Sequence, residues 1–291
     1  MNIYTDLALE LHEILVDKHK KIKEEYEVKG VKVTVTGEKV KTTLVEVVTE
    51  DGASQIGKPI GKYVTIEWQK ENEELKEELI RELFSMVSEI ENLKNVLIIG
   101  LGNRHITPDS LGPRVVDYIV VSEKVKAISP GVLGTTGIET AETAKALADK
   151  LKPDLIIAID ALASRAVSRI NKTIQLSNTG IKPGAGMDNI RKEISESTMG
   201  VKVIAIGVPT VVDAATLAND TIDKMLADLI SFSDGSDFYK MIEDLGAENR
   251  YPLIKSLLEP YENMFVTPKE IDFVMNSLSK SIAEAVNDVL R

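Results

Sequence analysis

Val96-Leu97-Ile98-Ile99-Gly100 is a short run in which no polar side chain interrupts the apolar ones. Two further segments share its character: Leu155-Ile156-Ile157-Ala158-Ile159-Asp160 and Val201-Lys202-Val203-Ile204-Ala205-Ile206-Gly207. A strand with one wet face alternates apolar and polar residues, whereas a strand covered on both faces does not. The three runs are therefore predicted to be buried parallel strands. Glu139–Leu151 and Asn189–Ser197 read as helices between them. Strand and helix in alternation predict an α/β fold, a three-layer sandwich with a mainly parallel sheet.

Outward from this core, Thr5–Tyr26 carries Leu7, Leu11, Ile14 and Leu15 at helical spacing. Val31–Thr36, Leu44–Thr49 and Tyr63–Trp68 read as strands, with Gly52, Gly57, Pro59 and Gly61 supplying turns. They predict a smaller β-rich layer at the N-terminus. Glu71–Leu93 reads as a helix, and the C-terminal third as helices broken by Pro252, Pro260 and Pro268. The expected division is 1–93 for the N-terminal helix, the β-rich layer and the connecting helix. Residues 94–291 then form the α/β core with its C-terminal helices, the two parts making one compact unit.

The chain has 291 residues and no cysteine, which removes disulfides, thiolate metal sites and a thiol nucleophile from consideration. That fits a reducing cytoplasm. Only His12, His19 and His105 are present, too scattered for a His-rich zinc site. The formal net charge of −11 repels nucleic acid phosphates and anionic lipid, so neither nucleic acid nor membrane is an expected partner. No apolar run approaches the length of a bilayer span.

In open α/β sheets, sites gather at the carboxyl ends of the strands. Here those ends are Gly100–Pro113, Asp160–Arg165 and Gly207–Asp213. Gly100 and Gly102 match the first two glycines of a dinucleotide fingerprint, but His105 fills the third position, where close helix packing needs a small residue. The glycines read better as letting backbone N–H groups turn toward a ligand or an oxyanion. Asp109 either caps the following helix or takes part in chemistry. Asp160 ends an apolar strand, where a lone carboxylate is costly, so it needs a partner such as Arg165 or a chemical role. Two carboxyls meeting at a sheet edge can hold one proton between them and activate a water, the logic of aspartic peptidases. Asp213 caps a helix or lines the pocket. Gly102, Asn103, Thr107 and Arg165 are the other supporting or substrate-binding positions. Lys182, Arg191 and Lys192 flank Gly180–Gly186 as candidate binders of a substrate carboxylate.

These segments resemble the germination protease family of spore-forming bacteria. The resemblance runs through Gly100–Pro113, Pro130–Thr140, Lys152–Ala163, Asn178–Gly186, Ile204–Asp213 and Phe265–Asp272. It implies an aspartic endopeptidase without metal or other cofactor, whose catalytic pair falls on Asp109 in Thr-Pro-Asp and Asp160 in Ile-Asp-Ala-Leu. It implies small acid-soluble spore proteins as substrates, cut after Glu and before Ile or Phe, then Ala, any residue and Glu. It further implies a homotetramer in the forespore and spore core, made as a zymogen that removes its own N-terminus. Asp6-Leu7-Ala8-Leu9-Glu10 is similar to that cleavage pattern, with Asp for Glu and Leu for Ile, so self-cleavage is expected between Asp6 and Leu7. The segment removed would be shorter than is usual in the family.

Two other readings stay open on sequence. One is a metal-dependent maturation peptidase of the hydrogenase type, a related fold, with Asp109, Asp160 and His105 as ligands. The other is a non-catalytic ligand-binding protein with Gly100–Gly102 as an anion nest.

Overall fold

The computed structural model describes residues 5–20, 27–70, 73–182, 192–232, 247–258 and 264–291. Nine strands form one sheet: β1 (Val31–Thr36), β2 (Val40–Val47), β3 (Gly61–Trp68), β4 (Val96–Gly100), β5 (Val125–Ile128), β6 (Leu155–Ser164), β7 (Thr173–Ser177), β8 (Lys202–Asp213) and β9 (Phe265–Val266). Their order is β1-β2-β3-β7-β8-β6-β4-β5, with β9 added to β8. The centre is parallel: β8 with β6, β6 with β4, and β4 with β5. The flank from β1 to β7 is antiparallel, and β3 joins β7, so the N-terminal β-rich region continues the core sheet.

The expected buried strands are those at the centre. Every residue of β4 is buried, and β6 is buried along its length apart from Ala161. Alternate residues serve opposite faces. Ile98, Ile157, Ile159, Ile204 and Ile206 pack beneath α3 (Glu73–Ser88), α4 (Leu111–Tyr118) and α10 (Ile271–Leu290). Leu97, Ile99, Ile156, Ala158 and Val203 meet α6 (Thr140–Leu151) through Ala141, Ala144 and Ala148. A third cluster on that second side joins Ala8 and Leu9 of α1 (Ala8–Lys20) to Val45, Val47 and Tyr63, with Ile56 of α2 (Glu50–Ile56). Helices on both faces of the sheet make the three layers.

Several local expectations are corrected. Glu50–Ile56 is a helix, not a turn region. Thr49 accepts from Gly52 N at 3.1 Å, Glu50 and Asp51 sit at the positive end, and Gly57 closes the helix at φ 69°. Gly52 inside it faces the Gly30 backbone with no room for a side chain, so the glycine marks a close crossing and not a bend. β8 does not stop at Gly207 but runs to Asp213. Of the helix expected over Asn189–Ser197, 189–191 lie outside the described residues. Ile194 is extended and bridges Ile181, and only Glu196–Met199 (α7) is helical. Pro252 lies inside α9 (Ala247–Leu258) and does not end it. Pro260 lies outside the described residues.

Candidate functional site

The connection leaving β4 passes through α4 on one face to β5, and the chain returns through α6 on the other face to β6. β5 and β6 therefore flank β4 on opposite sides, which puts the topological switch point, where open α/β sheets form their ligand crevice, at the carboxyl ends of β4 and β6. β4 stops where Gly100 pairs with Ile159, so Asp160 is the first residue of β6 past that pairing. It is 5% exposed, and its Oδ1 accepts from Ala161 N at 2.9 Å. Across β8 its neighbour is Gly207.

Asp109 lies at the same end of the sheet, in the loop between β4 and α4. It ends a 3-10 turn, Thr107–Asp109, and its Oδ2 accepts from Asn103 N at 2.7 Å. The N-cap position of α4 is the next residue, Ser110, whose hydroxyl makes no cap bond but donates to Thr107 O at 2.8 Å and accepts from Arg114 Nε at 2.9 Å. The carboxylate of Asp109 thus ties down its own loop. Thr107 donates to Asp272 on α10 at 2.9 Å, and Thr210 of β8 donates to Pro108 O at 2.7 Å. The 3-10 turn is held from both sides by core elements.

The glycines owe their identity to crowding. Gly102 has φ 105°, and a side chain there would meet the Asp109 carbonyl at 2.0 Å. One on Gly112 would meet the Ile159 carbonyl at 2.4 Å, and one on Gly100 the Gly112 carbonyl at 2.2 Å. The N–H groups of Leu101 and Asn103 donate inside the protein, to Ile159 O at 2.8 Å and to Asp109. The expectation that this loop turns N–H groups outward to an anion is thus corrected for these two. The glycines let the start of α4 cross the strand ends at backbone contact.

The other positions separate. Arg165 forms its ion pair with Asp220 at 3.0 Å. Asp213 caps α8 (Ala214–Phe232) through Thr216 N at 2.8 Å and also accepts from the Tyr251 hydroxyl at 3.2 Å. His105 is exposed, its N–H bonded to Asn103 Oδ1. Lys192 pairs with Glu142 at 3.0 Å, and Arg191 lies outside the described residues. Among the described residues no three His, Asp or Glu side chains gather in a way that could hold a metal ion, and no helix is long and apolar enough to cross a membrane.

Asp6 and Leu7 are deeply engaged. Asp6 N donates to Ala163 O at 3.0 Å, and its Oδ2 accepts from Ala163 N at 2.8 Å. Its carbonyl accepts from Lys58 Nζ at 2.9 Å and Gln175 Nε2 at 3.3 Å. Leu7 and Ala8 are both 0% exposed, and Ala8 N donates to Gln175 Oε1 at 2.8 Å. Burial pushes the Asp6 carboxyl above its ordinary value of 3.8, against the pull of Lys58 and the Ala163 N–H; Glu10 adds to the rise. Burial lowers Lys58 from 10.5, opposed by Asp6. Thr5, Asp6 and Lys58 line a cavity of about 430 Å³ with Gln175, Leu162 and Gly207, the last opposite Asp160 in the sheet. Neither Lys58 nor Gln175 stands in a motif, and only the fold brings them to residue 6.

The germination protease model matches residues 8–236. The chain belongs to the germination protease family. The germination protease of Caldanaerobacter subterraneus subsp. tengcongensis is 44% identical, covering 100% of this chain and 95% of its own length. That of Priestia megaterium is 37% identical, covering 99% and 94%. Membership makes this chain a peptidase. Among solved structures, the [NiFe] hydrogenase maturation protease HycI from Thermococcus kodakarensis KOD1 is similar at 14% identity and a TM-score of 0.40, over 71% of this chain and 98% of that one.

Proposed function

We propose that this chain is an aspartic endopeptidase that starts the breakdown of small acid-soluble spore proteins during germination, with Asp109 and Asp160 as its catalytic pair. The observation that supports this reading is that Asp160 is buried at the carboxyl end of β6 while Asp109 lies in the loop that leaves the carboxyl end of β4, the neighbouring parallel strand. One carboxyl is ionised and one protonated. The ionised one takes a proton from water as the water oxygen adds to the scissile carbonyl carbon. The protonated one gives its proton to the carbonyl oxygen, leaving a neutral tetrahedral diol. On collapse, the C–N bond breaks as the protonated carboxyl gives its proton to the leaving nitrogen and one hydroxyl of the diol gives its proton to the ionised carboxylate, which leaves a carboxylic acid and an amine and restores the pair.

The chain is made as a zymogen and cuts itself between Asp6 and Leu7. Support comes from the Asp-Leu-Ala-Leu-Glu sequence and from the way those residues lie along β6. The family resemblance supports a homotetramer acting in the cytoplasm of the forespore and spore core. The N-terminus is sequenced after activation, in wild type and in Asp160→Asn and Asp109→Asn. Wild type yields a new terminus at Leu7, and both variants lose at least about two orders of magnitude in rate. Full self-processing in either variant removes the dyad.

A further inference from the structure

We propose that β1 is the surface through which two copies of this chain join, their β1 strands pairing antiparallel about a two-fold axis so that one sheet runs through both. The inference rests on the proposed assembly of identical copies and names the groups that make one of its contacts.

β1 ends the sheet, with β2 as its neighbour on one side. Val48 N donates to Gly30 O at 2.9 Å, and Val31 stands opposite Val47, so Gly30 and Val48 form a hydrogen-bonded pair of the ladder. Such pairs alternate along antiparallel strands. Lys32, Thr34 and Thr36 therefore turn their main-chain groups to β2, while Val31, Val33 and Val35 turn theirs outward. Val31 N is taken by Val28 O at 3.0 Å. The N–H and C=O of Val33 and Val35 face the open edge, and every residue from Lys32 to Thr36 is exposed. A free edge is a template for another strand, and chains guard it with Pro, bulges or charge. β1 has no Pro, its register with β2 is unbroken, and its one charge, Lys32, stands opposite Glu46.

A second copy fits this edge in one register. With Val33 opposite Val35 of the copy, and Val35 opposite Val33, all the outward groups of both residues are used, in main-chain bonds that cross the axis. Thr34 then faces Thr34 of the copy. Placing the axis between two residues sets outward groups against ones already bonded to β2. Centring it on Val33 calls on Val31, whose N–H is spent, and centring it on Val35 calls on Gly37, past the end of the strand at φ 78°. The side chains agree with this register. Val33 and Val35 stand opposite Val45 and Thr43, on the face where Val45 packs with Ala8 and Leu9. They are 37% and 54% exposed, and pairing each with the other carries that apolar cluster across the axis. On the opposite face Lys32 meets Thr36 of the copy, two residues from Glu38, which has the opposite charge. The strand is thus complementary to itself in main chain, apolar side chains and charge, as a two-fold contact requires.

The chain has no cysteine, so one introduced at position 34 has only its copy to pair with. A non-hydrogen-bonded pair sets Cα atoms about 4.5 Å apart, within reach of a disulfide. Full-length T34C is oxidised and followed on a non-reducing gel, beside K32C and T36C, each of which faces the other's position in the copy. T34C forms covalent dimer about tenfold or more faster than either. Val33→Pro gives a second reading. It removes an N–H that points away from β2, so the ladder within the chain is kept, and sedimentation velocity shows self-association weakened about tenfold or more. Circular dichroism checks its folding, and if V33P does not fold, V35K, which sets a charge in the apolar pair, takes its place. Cross-linking of T34C no faster than that of K32C and T36C, or unchanged association in the variant, overturns the inference. If wild type still associates, that result leaves the proposed assembly standing on another surface, whereas a wild type that sediments as a monomer removes both. Peptide hydrolysis decides the catalytic reading separately.

Discussion

Gly102 is where the loop chemistry is most exposed to a single substitution. Gly102→Ala adds a methyl 2.0 Å from the Asp109 carbonyl at φ 105°, a conformation that L side chains resist. We expect a loss of about 1–3 kcal/mol in thermal or denaturant unfolding and a marked fall in peptide hydrolysis, because Asp109 must shift. Gly57→Ala is the control: at φ 69° it is strained but meets nothing within 4 Å, so stability drops while hydrolysis holds. Equal effects on hydrolysis would deny Asp109 its role. Asp6 offers a second test at this scale. Its carboxyl is raised on folding by burial, so the folded state holds the proton more tightly. Its share of stability is present below 3.8 and is lost as pH rises through the raised value. Lys58, lowered by burial, acts in the opposite sense, contributing stability that grows toward 10.5. Asp6→Asn should therefore flatten the acid limb of unfolding midpoint against pH and extend the Lys58 rise to lower pH, because the charge that opposes the lowering of Lys58 is gone. An unaltered acid limb would show that folding does not change the proton affinity of Asp6.

Among the elements, α10 tests the packing argument. Met275, Leu278 and Ile282 are wholly buried against the sheet, while Phe273 on the same helix is 79% exposed. Ile282→Ala should cost about 2–5 kcal/mol in denaturant unfolding, and Phe273→Ser should stay within about 0.5 kcal/mol of wild type. This contrast also explains what the sequence made legible. β4, β6 and the first half of β8 could be read because burial on both faces leaves an unbroken apolar run. β7, Thr-Ile-Gln-Leu-Ser, could not: one face is core through Ile174 and Leu176, the other lines the cavity through Gln175 and Ser177. Such a pattern is too short to stand out. Gly52 read as a turn because composition cannot distinguish a glycine needed for a bend from one needed for contact. Asp160 was legible as a polar residue ending an apolar strand. The pairing of β7 with both β3 and β8, which brings Gln175 to residues 6 and 8, depends on contacts that no local pattern encodes.

At the scale of the whole molecule, the end of the sheet that carries Asp160 and the Asp109 loop also carries residues 5–7. Asp6 lies beside Ala163, three positions past Asp160, roughly 10 Å along an extended strand. The bond from Asp6 to Leu7 must therefore leave its cradle before any group at Asp160 can act on it. If the proposed self-cleavage occurs at this bond, release of the segment is expected to limit its rate. Gln175 is the residue whose loss should show this, since its side chain both accepts from Ala8 N and donates to Asp6 O. It belongs to β7, one strand beyond β8, away from the Asp109 loop. Removing two hydrogen bonds of about 1 kcal/mol each lowers the opening cost of the segment and leaves the crevice untouched. We expect Gln175→Ala to speed appearance of the Leu7 terminus by about five- to thirtyfold, followed by mass spectrometry. Hydrolysis of an added peptide by the processed enzyme should be unchanged. A slower or equal rate of self-processing would mean that the bond is cut where it lies, and that the carboxylates reach it by a movement of the loop between β4 and α4.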